Sequence, residues 1–100
     1  MRTVMVRYKT SEAKADENAT LVRAVFEELR SRAPQGLRYA SYRLADGVTF
    51  IHIATLATPG ENPLTVLPAF KAFQKELADR CVEPPVATEL NAVDSYGSVV

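Results

Sequence analysis

No tryptophan occurs in this chain, and cysteine and histidine occur once each. The lone Cys81 excludes an internal disulfide and a cysteine-based zinc cluster, and it fits a reducing, cytoplasmic setting. It reads as a small apolar residue at a helix end. His52 has no second histidine beside it, and the carboxylates fall on helices and strand ends, so no metal site is expected. Charge of one sign is missing too. Twelve basic and twelve acidic residues cancel, so bulk charge draws the chain neither to nucleic acid nor to an anionic membrane. No apolar run approaches the ~20 residues of a membrane span. The opening MRTVMVRYKT is too short and too charged to read as a secretory signal.

What is present reads as one small globular domain over residues 1–100, with 47% apolar and 24% charged residues. A chain this size buries roughly 60–68% of its unfolded surface, so association with a second copy would help it. Residues 2–10 alternate Val4, Val6 and Tyr8 against Thr3, Met5 and Arg7, the period of a strand. Residues 11–33 change period. Leu21, Val22, Val25, Phe26 and Leu29 form one helical stripe, acidic residues crowd the start, and Arg30 and Arg32 sit at the end. Pro34 and Gly36 stop this helix. Glu27, Glu28, Arg23, Arg30 and Arg32 read as its solvated face.

Residues 37–45 and 48–57 read as a hairpin. Its joint, Ala45-Asp46-Gly47-Val48, predicts a two-residue loop with positive φ at both Asp46 and Gly47. Opposed residue numbers then sum to 93, which sets Ser41 against His52, Arg43 against Phe50, and Tyr39 against Ala54. One face carries Leu37, Tyr39, Ser41, Arg43, Phe50, His52, Ala54 and Leu56. The other carries Ala40, Tyr42, Leu44, Ile51 and Ile53 among polar residues, so both faces need cover. TPGENP at 58–63 is a loop, and a helix begins at Asn62-Pro63 or between Thr65 and Pro68. Phe70, Phe73 and Leu77 mark its buried stripe, and Glu83-Pro84-Pro85 ends it. Residues 86–96 predict a last strand. The order β-α-β-β-α-β is the α+β ferredoxin-like pattern, an antiparallel sheet with two helices on one face. The bare face predicts a homodimer.

With the strands VMVRYK and TFIHIATL and the stretch PLTVLPAFKAFQKELADR in that order, the chain resembles the dimeric α+β barrel superfamily, and within it the antibiotic biosynthesis monooxygenase-like domains. The resemblance spans nearly the whole chain. It implies a homodimeric barrel with a small pocket between sheet and helices in each subunit. Several members of that family oxidise aromatic polyketides or quinols without metal or flavin, and others bind or degrade haem. The haem-degrading relatives use a first-strand asparagine, a third-strand tryptophan and a histidine on the second helix. Here the tryptophan position falls on Leu56 and the helical histidine position near Ala69, and the first strand has no asparagine. The match at Leu56 implies that His52, on the same strand face, points into the pocket, with Tyr39, Ser41 and Arg43 on one wall.

An imidazole, a phenol, a hydroxyl and a guanidinium would then converge. His52 could take a proton from a phenol or quinol, with Tyr39 beside it and Arg43 stabilising the oxyanion. These three are the candidate catalytic residues. Ser41, Phe50, Leu56, Phe70 and Phe73 are the candidate pocket residues. No cofactor is expected. Three readings of His52 stand side by side: a satisfied core or ligand-contacting residue, a catalytic base, and a haem or metal ligand. The corresponding functions are a cofactor-independent monooxygenase acting on a small aromatic or quinol, a non-catalytic small-ligand-binding or structural homodimer, and a haem binder. Tyr8 and Tyr96 read as core or interface residues, and Asn91 and Glu89 as interface groups.

Overall fold

The protein is described by a computed structural model over residues 1–58 and 60–97. Pro59 of the expected loop and the last three positions of the expected domain lie outside the described residues. Strand β1 runs Arg2–Thr10, helix α1 Glu12–Arg32, β2 Leu37–Arg43 and β3 Thr49–Leu56. A 3-10 turn at Pro63–Val66 leads to α2 at Pro68–Lys75, a single turn α3 at Leu77–Arg80, and β4 at Cys81–Leu90. The four strands form one sheet in the order β2-β3-β1-β4, antiparallel throughout. This is the ferredoxin-like arrangement. The alternating pattern of β1 and β3 buries Tyr8, Phe50, His52 and Leu56 on the face that Val22 and Val25 of α1 and Phe70 and Phe73 of α2 also help to enclose.

The hairpin keeps the expected register, Ser41 against His52 and Arg43 against Phe50. Its turn differs. Only Gly47 has positive φ, at 78°. Gly47 N–H donates to the Leu44 carbonyl and Leu44 N–H to the Thr49 carbonyl, which makes a four-residue connection. Asp46 takes no left-handed conformation because its carboxylate has another use. It accepts from Val48 N, Thr49 N and Thr49 Oγ1, and these bonds hold its pKa down at about 2. The pairing survives because both turn types preserve the same sum of opposed positions.

Three other expectations need correction. The last strand begins at Cys81, not 86, and ends at Leu90, not 96. Pro84 and Pro85 lie within it. β4 is an edge strand and its register against β1 shifts between Arg7 and Thr10, so two prolines fit where a central strand would lose ladder bonds. The second helix is broken at Glu76, whose φ of −124° separates α2 from α3. Glu28 does not belong to a solvated face. Its side chain is 19% exposed, and Oε1 accepts from Ala69 N–H at 2.9 Å. Helix α2 starts from Leu67 and Pro68, neither of which carries a capping oxygen, so a carboxylate from α1 caps it instead.

Candidate active site

His52 sits in the middle of β3, between Val6 of β1 and Ser41 of β2, and is 4% exposed. Two phenols close on its ring. Tyr8 Oη lies 2.7 Å from Nε2, and Tyr39 Oη lies 2.6 Å from Nδ1. Ser41 Oγ is 3.5 Å from Nε2, at the outer limit of a hydrogen bond. The short contacts follow from strand pairing. Tyr8 and Tyr39 stand one pleat away from His52 on opposite neighbouring strands, in the diagonal positions that long side chains span. Phe73 packs 5.4 Å from the imidazole, centroid to centroid, and Phe26 stacks on Tyr39 at 5.1 Å.

The chain of polar contacts continues behind Tyr8. Asn18 of α1 is fully buried and donates its amide N–H to Tyr8 Oη at 2.8 Å. Arg80, 3% exposed, donates from Nε to Asn18 Oδ1 at 3.0 Å and from a terminal nitrogen to the Phe73 carbonyl at 2.6 Å. Five side chains from β1, α1, β2, β3 and α3 thus form one buried line. Burial sets their protonation. It pushes the His52 pKa down to about 4 and both tyrosine pKa values up, so the line is neutral at its Tyr-His-Tyr end near pH 7.

A cavity of about 320 Å³ opens against this group, between the sheet and the second helical segment. Tyr8, Tyr39 and His52 supply its polar wall, Leu56, Leu64, Phe70 and Phe73 much of its apolar wall. That volume lies at the small end of the ~300–1,000 Å³ range of ligand pockets, suited to one or two fused rings. The expected pocket residues therefore divide. Leu56, Phe70 and Phe73 line this cavity with His52 and Tyr39. Ser41, Phe50 and Arg43 line a second, more open groove of about 640 Å³ between α1 and β2. Tyr39 borders both. Arg43 is held away from the imidazole: Nε donates to the Gly47 carbonyl at 2.7 Å, a terminal nitrogen reaches Asp16 at 3.1 Å, and the guanidinium lies over Phe50.

Sequence reasoning left Tyr8, Asn18 and Arg80 out of the site. Tyr8 carried two signals, its alternation with Val4 and Val6 and the ferredoxin-like order that sets β1 beside β3, but these mark it only as a core or interface residue. Asn18 and Arg80 carried none, since each reads as an ordinary polar residue on a helix.

No family model matches the sequence, and no curated protein matches it. Solved structures do match. Two proteins named "putative antibiotic biosynthesis monooxygenase" superimpose well. The one from Nitrosomonas europaea has a TM-score of 0.78 at 16% identity, over 94% of this chain and 100% of that one. The one from Caulobacter crescentus has 0.72 at 21%, over 93% and 90%. A protein of unknown function from Nitrosomonas europaea gives 0.73 at 12%, over 99% and 95%. Element order, sheet topology and these superpositions agree: this chain has the α+β fold of the antibiotic biosynthesis monooxygenase-like proteins.

Proposed function

We propose that residues 1–100 form one domain of a homodimeric, cofactor-independent monooxygenase acting on a one- or two-ring phenol or quinol. The carrying observation is the Tyr8–His52–Tyr39 group, whose two phenols meet the two nitrogens of one imidazole at the wall of an apolar cavity. A ring hydroxyl of the substrate bonds to one phenol. Its proton passes to that phenol's oxygen as the phenol's own proton moves to His52. The other phenol donates to a second oxygen on the substrate ring. The phenolate then gives an electron to dioxygen, and superoxide and ring radical combine to form a carbon–oxygen bond. The peroxide takes back the proton held by His52, and the ring hydrogen then leaves with the distal oxygen's hydroxide as water, which gives a new carbonyl. One oxygen atom enters the ring and the other leaves as water, with all electrons supplied by the substrate.

The energetics set the test. A phenol of pKa ~10 gives up its proton to an imidazole at about 4 across a gap of ~8 kcal/mol. Only the ion pair formed inside the dry cavity and the donating phenol can offset it. The same neutrality favours a second reading, a binder that uses its phenols to hold a ring oxygen without turnover. Oxygen uptake separates the two. Turnover with a small quinol that falls at least ~100-fold in both Tyr8→Phe and Tyr39→Phe supports the enzyme. A thermal shift of roughly 10–20 °C at ~100 times Kd with no oxygen uptake supports the binder. Haem is disfavoured by geometry, because neither nitrogen of His52 is free of a hydrogen bond to a phenol.

The outer face of the sheet supports the homodimer. Met5, Ile53 and Ala40 form one row across it, and Val86, Arg7, Ile51 and Tyr42 the next. Tyr42 and Val86 are exposed, and among the described residues no helix covers the face. Ile53→Glu is expected to convert a dimer to a monomer in analytical ultracentrifugation. A wild-type monomer at micromolar concentration would overturn the dimer. The single cysteine agrees with a cytoplasmic location, and among the described residues no helix is long and apolar enough to cross a membrane.

A further inference from the structure

The buried line from Arg80 to Tyr39 has a direction. A guanidinium only donates, so Asn18 must present its carbonyl to Arg80. The same amide then has only N–H to offer Tyr8. Tyr8 Oη therefore accepts from Asn18, and its own proton is left for His52 Nε2, 2.7 Å away. Nε2 accepts, so in a neutral ring the proton lies on Nδ1 and is donated to Tyr39 Oη. Tyr39 keeps its hydroxyl proton for a further acceptor, and it lines the cavity. The opposite tautomer would make Tyr8 Oη accept from both Asn18 and His52 and leave its own proton no protein acceptor among the described residues, which costs about 1–3 kcal/mol.

We infer that Arg80 and Asn18 are positioning residues that hold His52 in its Nδ1–H tautomer, which makes Tyr8 the entry for a substrate proton and Tyr39 the donor to a second substrate oxygen. Neither residue lines the cavity. They act through Tyr8, and the assignment of roles rests on the function proposed above. In that reaction the substrate hydroxyl gives its proton to Tyr8 Oη, Tyr8 gives its own to Nε2, and the imidazolium formed donates to both phenols. The ligand class is narrowed as well. The cavity takes an aromatic molecule with one oxygen that donates to Tyr8 and a second that accepts from Tyr39, as a neutral quinol presents.

The test needs neither substrate nor oxygen. Long-range proton–nitrogen NMR on ¹⁵N-histidine-labelled protein reads the tautomer of the only histidine directly. Wild type is expected to carry its proton on Nδ1. Asn18→Asp keeps the side chain's shape and pairs with Arg80, but its carboxylate can only accept. Tyr8 must then donate to that carboxylate, and the His52 proton is expected to move to Nε2. Arg80→Met frees the Asn18 amide to turn over, and two tautomers are expected where wild type has one. A proton on Nε2 in wild type overturns the inference without any variant. An Asn18→Asp protein that folds and keeps Nδ1–H overturns it as well. An Arg80→Met protein that keeps one tautomer removes Arg80 from the assignment. Oxygen uptake by wild type is scored separately, so a site with the expected tautomer and no turnover refutes the enzyme and leaves the positioning intact.

Discussion

Lowering the pH from 6.5 to 4 is expected to remove about 3 kcal/mol of folding stability through His52 alone. The sign follows from proton binding. The unfolded chain's imidazole titrates at 6.5 and the folded one at about 4, because burial disfavours the charged ring. Between those values the unfolded state binds the proton and the folded state does not. Stability is therefore complete above pH 6.5, falls as the pH drops through the window, and loses no more from this group below about 4. The window is separate from that of Asp46, whose carboxylate is held down at about 2 and titrates in more acid solution. Urea unfolding at a series of pH values and fixed protein concentration measures the effect. His52→Phe is expected to be less stable at every pH, since both phenols lose their partner, but it should lack this slope. A wild-type slope equal to that of His52→Phe would mean that His52 binds a proton in the folded state as readily as in the unfolded one.

Phe73→Ala is expected to cost about 3–5 kcal/mol, the range for deleting a buried phenylalanine ring. Phe73 is 4% exposed and lies at the crossing of the core and the site. Its ring packs against His52 at 5.4 Å, Phe70 at 6.1 Å and Tyr8 at 6.3 Å, and the Arg80 guanidinium lies 5.5 Å from its centroid. Removing the ring opens a cavity beside the imidazole and takes away the face on which a buried charge rests. For a domain of this size the drop in Tm should exceed ~12 °C by calorimetry. Tyr96→Ala is the control. That side chain is 98% exposed, and its loss should stay within about 0.5 kcal/mol. A Phe73→Ala protein that melts within ~4 °C of wild type would show that the core closes over the space.

The two results bear on each other. Below pH 6.5 His52 stays neutral only while Phe73 and its neighbours keep water away. A Phe73→Ala protein that remains folded should therefore show a shallower loss of stability between pH 6.5 and 4 than wild type.

Much of this molecule was present in local pattern. The period-two run of Val4, Val6 and Tyr8 and the helical stripe of Val22, Val25 and Phe26 are backbone geometry written in side chains. The β2–β3 register was legible because a hairpin ties pairing to chain order, and opposed positions follow by counting. That placed Ser41 against His52 and Tyr39 one pleat away. Arg43 shows where counting stops. It shares a sheet face with His52, but its long side chain turned to the Gly47 carbonyl and Asp16, partners on the turn and on another helix. Pro84-Pro85 misled for a related reason. Proline opposes a strand only where its missing N–H would be needed, and edge position is a property of the assembled sheet.

Local pattern thus accounts for the element types, the hairpin register and the need for a cover over the second sheet face. Each of these rests on interactions between residues close in the chain or on the solvent preference of single side chains. Only the assembled fold brings Tyr8 to His52 across 44 positions and Arg80 to Asn18 across 62. Those contacts depend on which strands become neighbours and on how a helix lies across them. Long-range packing sets both, and no local period encodes it.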